Sequence, residues 1–115
     1  MKFSVQESAE RDILRQVEWY AEHGLPDVAR RFRLATKSSV AELLSTPQAG
    51  TPKLVANVQL KGLRTWSVRG FDGFRIYYLV QDDLIKVIRV LHSKRDIASI
   101  LERETVDQAR EKDRL

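Results

Sequence analysis

Apolar and polar residues alternate along KFSVQE (2–7), with Phe3 and Val5 on one side and Ser4 and Gln6 on the other. A period of two predicts a short strand. The period then lengthens. Ile13, Val17 and Tyr20 recur at i, i+4 and i+7, flanked by Leu14 and Ala21, the stripe of an amphipathic helix. Ser8 is the expected N-cap, Glu10 and Asp12 sit in the first turn facing the positive helix end, and Gly24 supplies the stop. Pro26 suits the first turn of a second helix. Its stripe is Val28, Phe32, Ala35, Ser39 and Leu43, widened by Ala29, Thr36, Val40 and Leu44, with Arg30, Arg33, Lys37 and Glu42 opposite. Pro47 ends it. So few residues separate the helices that they should fold back as an antiparallel hairpin.

TPQAGTPKLVANVQLKG (46–62) has two prolines and two glycines around one apolar run and reads as a loop carrying a short extra strand. Three strand-like runs follow. RTWSVRGF (64–71) alternates. FRIYYLVQ (74–81) is apolar on both faces apart from Arg75, which predicts a central strand covered on both sides. LIKVIRVLH (84–92) is similar, interrupted by Lys86 and Arg89. Asp72-Gly73 is the expected hairpin turn between the first two runs, and Asp82-Asp83 joins the second pair. Asp96 is placed to cap a last short helix built on Ile97, Ile100 and Leu101. The expected fold is α+β: an N-terminal strand, a helical hairpin packed on one face, a three-stranded antiparallel meander and a short C-terminal helix. Residues 1–102 form the domain. Residues 103–115, RETVDQAREKDRL, carry four basic and four acidic residues and form a charged tail expected to fray.

The chain has 115 residues, one domain's length, and no cysteine. Disulfides and thiolate metal sites are excluded; with two histidines and no metal-ligand spacing, neither metal nor cofactor is expected. No apolar run approaches a membrane span, and MKFSVQESAERD is no signal peptide, so the cytoplasm is the expected location. The net charge of +4 is uneven: residues 53–95 hold nine basic and three acidic residues, +6, against −2 elsewhere. That asymmetry points to one basic face and an anionic partner.

Several phrases, in this order and over about residues 3–101, resemble the RelE/ParE superfamily of bacterial toxins from type II toxin–antitoxin systems. They are SAERDI (8–13), WYAEHG (19–24), LRTWSVRGFDGFRIYYLVQDD (63–83) and IKVIRVLHSKRD (85–96). The resemblance implies a small basic toxin held inactive in a hetero-oligomer with a cognate antitoxin. RelE-like members cut mRNA in the ribosomal A site, and ParE-like members inhibit DNA gyrase. The ending VLHSKRD is similar to the ParE-type, plasmid-stabilisation branch.

Cleavage at a ribose 2′-OH needs a proton acceptor, cations around the phosphate and a donor to the leaving oxygen. The candidates are His92 as acid or base, with Arg64, Arg75 and Arg89 as phosphate clamps. Alternation sets Arg64 with Trp66 and Val68, and Arg75 with Tyr77 and Leu79. It sets His92 with Ile88 and Val90, and Arg89 opposite with Val87 and Leu91. His92 and Arg89 then share a cleft only if the strand is bulged. Ser93, not a tyrosine, follows His92. The broken geometry favours a toxin that acts by binding rather than as an enzyme, and the resemblance to the ParE-type branch implies DNA gyrase as its target. Arg64, Arg69, Arg75, His92, Lys94 and Arg95 are its expected target- or antitoxin-binding residues. The alternatives are a RelE-like mRNA interferase acting on the ribosome through His92, Arg64 and Arg75, and a degenerate, non-toxic binding module. Structural roles compete at each position: His92 as a strand-end residue hydrogen-bonded to backbone, and Trp66 packed against the helices.

Overall fold

The computed structural model describes residues 1–107. In chain order it contains β1 (Lys2–Val5), α1 (Glu7–Glu22), α2 (Pro26–Leu43), β2 (Thr51–Pro52) and a 3-10 turn (Val58–Leu60). These are followed by β3 (Arg64–Val68), β4 (Phe71–Gln81), β5 (Leu84–His92) and α3 (Ile97–Glu102). The five strands form one sheet in the order β1-β5-β4-β3-β2. The expected α+β order is observed, and the extra strand in the 46–62 loop is β2. β3, β4 and β5 form the antiparallel meander, whereas β1 lies parallel to β5, with Phe3 opposite Ile85 and Val5 opposite Val87. The helical hairpin carries the chain from β1 at one edge to β2 at the other, the kind of long crossing a parallel pair needs.

β4 is central and covered on both faces, as its double-sided apolar run predicts. Phe74, Ile76 and Tyr78 pack with Val5, Val68, Ile85, Val87 and Val90 beneath Ile13 of α1 and Phe32, Val40 and Leu43 of α2. Trp66 packs against this layer. On the other face Tyr77, Leu79, Ile88 and Leu91 are covered by Leu60, Leu63 and Leu101. Gly24 closes α1 at φ +74, and Pro26 opens α2.

Two expectations are corrected. The β3–β4 turn is Arg69-Gly70, not Asp72-Gly73: Val68 stands opposite Phe71, and Gly70 takes the positive φ of +82. Asp72 and Gly73 lie inside β4. There the missing side chain of Gly73 serves a different purpose, since a Cβ would stand 2.5 Å from His92 Nε2. The second correction is a bulge in β5. Tyr77 faces Arg89 and Tyr78 faces Val87, leaving Ile88 as the extra residue. Ile88 therefore joins Leu91 on one face, and Val87 joins Val90 on the other. The simple alternation that grouped Ile88 with Val90 and His92, and Val87 with Leu91, fails at this point.

The first residues of the expected tail, 103–107, run as a strap across the start of α1. Gln6 Nε2 donates to Glu104 Oε2 (2.8 Å) and Thr105 O (2.9 Å), and Asp107 N donates to Gln6 Oε1 (2.9 Å). From the opposite side Asn57 Nδ2 donates to Glu104 O (2.7 Å), and Val106 N donates to Gln59 Oε1 (3.1 Å). Residues 108–115, the rest of the expected tail, lie outside the described residues. A chain ending at Glu102 should lose about 2–3 kcal/mol, because Arg89, Gln6 and Ser8 would lose a carboxylate partner. Urea unfolding would measure this; an unchanged midpoint would mean the strap adds nothing to stability.

Candidate functional site

The meander brings most of the predicted binding residues to one end of the sheet. β3 ends at Val68, β4 begins at Phe71, and β5 ends at His92 opposite Phe74. Arg69 at the turn, Arg75 on β4, and His92, Lys94 and Arg95 at the β5–α3 corner all belong to this end. Arg64 does not. It pairs with Tyr78, four residues along β4 from Phe74, about 13 Å at strand spacing.

Most of these side chains are already engaged within the domain. Arg64 Nη1 donates to Gly50 O (2.7 Å) and Gln48 O (3.0 Å), which ties down the loop before β2. Arg69 forms an exposed ion pair with Glu42 of α2, and Ser39 Oγ accepts from its backbone N–H (3.0 Å). Arg75 Nη1 donates to Asp72 O (2.7 Å). Its charge partly offsets the burial that pushes the Tyr77 hydroxyl pKa up. His92 Nδ1 accepts from Lys94 N–H (3.1 Å). The ring stands edge-on to Phe74, at 4.9 Å between centroids. Lys94 and Arg95 are exposed. Asp96 caps α3, accepting from Ser99 N–H (3.3 Å); the Ser99 side chain first, and this backbone bond second, hold its carboxyl below the usual range. Beside this end an open cleft of about 320 Å³ is lined by Glu42, Trp66, Ser67, Val68, Arg69, Gly70 and Asp72.

The three residues of the nuclease alternative are not brought together. Arg75 shares a face with Tyr77, beneath the Leu60–Leu63 layer, whereas His92 pairs with Phe74 on the helix-facing side. Arg64 is held at the far end of β3. Arg89, the fourth candidate, is part of a buried ion cluster. Its Nε and Nη2 donate to Asp12 Oδ2 (2.7 Å) and Oδ1 (2.8 Å), and its Nη1 donates to Glu104 Oε1 (2.9 Å). These bonds, Asp12 foremost, raise the guanidinium pKa further. The strand is bulged, yet Arg89 still does not reach the His92 cleft, because Asp12 and Glu104 hold it. Among the described residues no group of His, Asp or Glu side chains is placed to hold a metal ion.

Sequence reasoning missed the structural weight of Asp12, Ser8 and Glu104. Ser8 does not cap α1, which starts at Glu7 with Gln6 in the cap position. Instead Ser8 Oγ lies 3.1 Å from Ile88 O and 2.7 Å from Glu104 Oε2, while Asp12 Oδ2 accepts from Val90 N–H (3.0 Å). The i, i+4 pair Ser8–Asp12 thus satisfies the edge of β5 beyond the reach of β1.

The chain matches the family described as "ParE toxin of type II toxin-antitoxin system, parDE" over residues 3–97. It belongs to the ParE toxin family. Its fold is similar to a solved structure titled "Chromosomal ParDE TA system from P. aeruginosa", at 20% identity, covering 80% of this chain and 95% of that one, with a TM-score of 0.67. Comparison with curated proteins gives no match. In this ParE-family chain the matched span runs from β1 to the first residue of α3. It therefore contains every predicted binding residue, from Arg64 to Arg95. No helix among the described residues is long and apolar enough to cross a membrane.

Proposed function

We propose that this ParE-family chain acts in the cytoplasm by binding DNA gyrase through the basic end of its sheet, and that a cognate antitoxin neutralises it. The observation that carries this reading is the gathering of Arg69, Arg75, His92, Lys94 and Arg95 at one end of the meander, while Arg64 and Arg89 are committed to internal contacts. Cations at a rim steer and hold an anionic partner without any chemistry of their own. Lys94 and Arg95 are the exposed members and the ones a partner meets first. The separation of His92, Arg64 and Arg75 favours binding over RNA cleavage, which needs converging groups. An antitoxin segment with an apolar stripe and negative charge would complement the same end.

Purified protein is expected to inhibit gyrase supercoiling at micromolar concentration and to leave cell-free translation unaffected. The reverse outcome would establish the interferase reading, and no effect in either assay would favour a non-toxic binding module. Lys94→Glu/Arg95→Glu should weaken inhibition at least about tenfold, since reversing two rim charges turns attraction into repulsion. His92→Ala should retain it within about threefold, as expected of a structural ring rather than a proton-transfer group. Loss of inhibition in His92→Ala with an unchanged melting curve would make the ring a direct contact to the partner; an acid–base role would require loss of RNA cleavage instead.

A further inference from the structure

We propose that the groove under the strap is a binding site for an extended acidic segment of a partner protein, and that the chain fills it with its own RETVD (103–107) until such a segment displaces it. The groove reads main chain as well as charge. Gln6 pairs with the strap in both directions: its Nε2 donates to Thr105 O (2.9 Å), and its Oε1 accepts from Asp107 N–H (2.9 Å). A side-chain amide used this way stands in for the peptide unit of a neighbouring strand. Asn57 Nδ2 donates to Glu104 O (2.7 Å) from the other side. The Glu104 carboxylate lies within hydrogen-bond distance of Arg89 Nη1 (2.9 Å), Ser8 Oγ (2.7 Å) and Gln6 Nε2 (2.8 Å).

The strap is an incomplete ligand for this groove. Ser4 stands opposite Lys86 in the β1–β5 pair. Their neighbours Val5, Ile85 and Val87 belong to the helix-side core, so Ser4 and Lys86 turn to the other face, where Val106 of the strap packs. Ser4 is 3% exposed, and its hydroxyl has no hydrogen-bond partner among the described residues. Lys86 is buried too, and its amine donates to the carbonyl of Asp107 rather than to a carboxylate. A buried cation facing only a carbonyl lacks the opposite charge that burial calls for. The Asp107 carboxylate instead meets the Glu7 N–H at 3.4 Å. A segment that sets a carboxylate against Lys86 and an acceptor against Ser4 would satisfy both. Nucleic acid would offer phosphates to Lys86 and Arg89, but its backbone has no N–H for Gln6 Oε1. A helix has its own main chain paired internally and would leave the amides of Gln6 and Asn57 unmet. Lys86 and His92 lie six residues apart on β5, about 20 Å at strand spacing, so this site goes beyond the function proposed above.

The test uses the full chain and a fluorescein-labelled peptide, ERETVD, the sequence of residues 102–107, read by anisotropy. In the parent the tethered strap competes at an effective concentration on the order of 1 mM, so binding should be weak. Asp107→Pro removes the N–H that Gln6 accepts and leaves Glu104 on Arg89; Glu104→Ala removes the carboxylate itself. Each should tighten peptide binding about tenfold. Asp107 is exposed at the end of the strap, so its variant keeps the test intact if Glu104→Ala unfolds. Adding Gln6→Ala to Asp107→Pro should cancel the gain. A peptide with Gln and Asn in place of Glu and Asp should bind about tenfold more weakly, having lost its charge-assisted bonds. Absence of peptide binding by the loosened chains, or binding indifferent to Gln6, would overturn the proposal. So would a loosened chain that dimerises with concentration instead of taking up the peptide, because the groove would then serve a second copy. Because the readout is peptide affinity, failure here leaves the gyrase result standing, and failure there leaves this one standing.

Discussion

Asp12→Ala should destabilise the domain by about 3–5 kcal/mol, the range for breaking a buried ion pair by removing one partner. The Asp12 side chain is 4% exposed and that of Arg89 14%. One carboxylate here serves two purposes: it grips the guanidinium with both oxygens and accepts from the Val90 N–H. Truncation leaves a buried amide without a partner and a buried cation supported by Glu104 alone. A domain of this size has roughly 5–15 kcal/mol in total, so the loss is a large share of its stability. Asp12→Asn keeps an acceptor for Val90 but not the charge, and should cost about half as much. Asp12→Leu/Arg89→Met removes both charges and should recover much of the loss, because desolvating an ion pair is itself costly. Urea midpoints across this set would decide. If the double variant were as unstable as Asp12→Ala, charge pairing would not be the cause.

That cluster also marks where the sequence could be read and where it could not. The helices, the central strand and the meander rest on local periodicity, and LIKVIRVLH reads as a strand whatever surrounds it. Arg89 within it reads only as an interruption, because its partners are 77 residues earlier and 15 residues later in the chain. Glu104 lies in a segment whose composition resembles a solvated tail, and only its contacts with Gln6, Ser8 and Arg89 show otherwise. The Asp72-Gly73 signal was strong, but Arg69-Gly70 offered an equally short turn three residues earlier. With the turn at Arg69-Gly70, Gly73 lies inside β4 against His92, a contact between strands that no local rule contains. The bulge at Ile88 is of the same kind. It shifts side chains between faces without any Gly or Pro to announce it, so face assignments beyond it follow from the structure alone. The basic end was legible as a charge surplus in residues 53–95. Its real composition was not, since Lys86 is buried (2% exposed) and Arg89 is neutralised. The exposed cations of α2 were counted instead within the remainder of net −2.

Gly50→Ala should cost about 3 kcal/mol, the upper end for inserting a methyl group into a packed site. Its Cβ would overlap the Tyr78 hydroxyl and stand 2.7 Å from the backbone oxygen of Thr65, which has no rotamer to yield. The glycine sits in a knot. Its N–H donates to Tyr78 Oη (2.9 Å), Tyr78 Oη donates to Pro47 O (2.8 Å), and its own carbonyl accepts from Arg64 (2.7 Å). Burial raises the Tyr78 pKa, keeping the hydroxyl protonated as this donor role requires. Tyr78→Phe alone should cost about 1–3 kcal/mol, for one lost bond and one buried amide left unpaired. The two changes should not fully add, because Phe removes the hydroxyl that the new methyl meets; the residual cost of Gly50→Ala in that background comes from Thr65 O and from the ring Cε1, both 2.7 Å from the new Cβ. Additive losses in urea midpoints would mean that the hydroxyl is not the obstacle. The same cycle bears on function. Arg64 is a sequence candidate for phosphate or partner binding, yet it is spent on this knot. Arg64→Ala should therefore lower stability together with Gly50→Ala, and any loss of toxicity should track the melting temperature. Arg64→Ala that abolished toxicity with an unchanged melting temperature would return Arg64 to the binding surface.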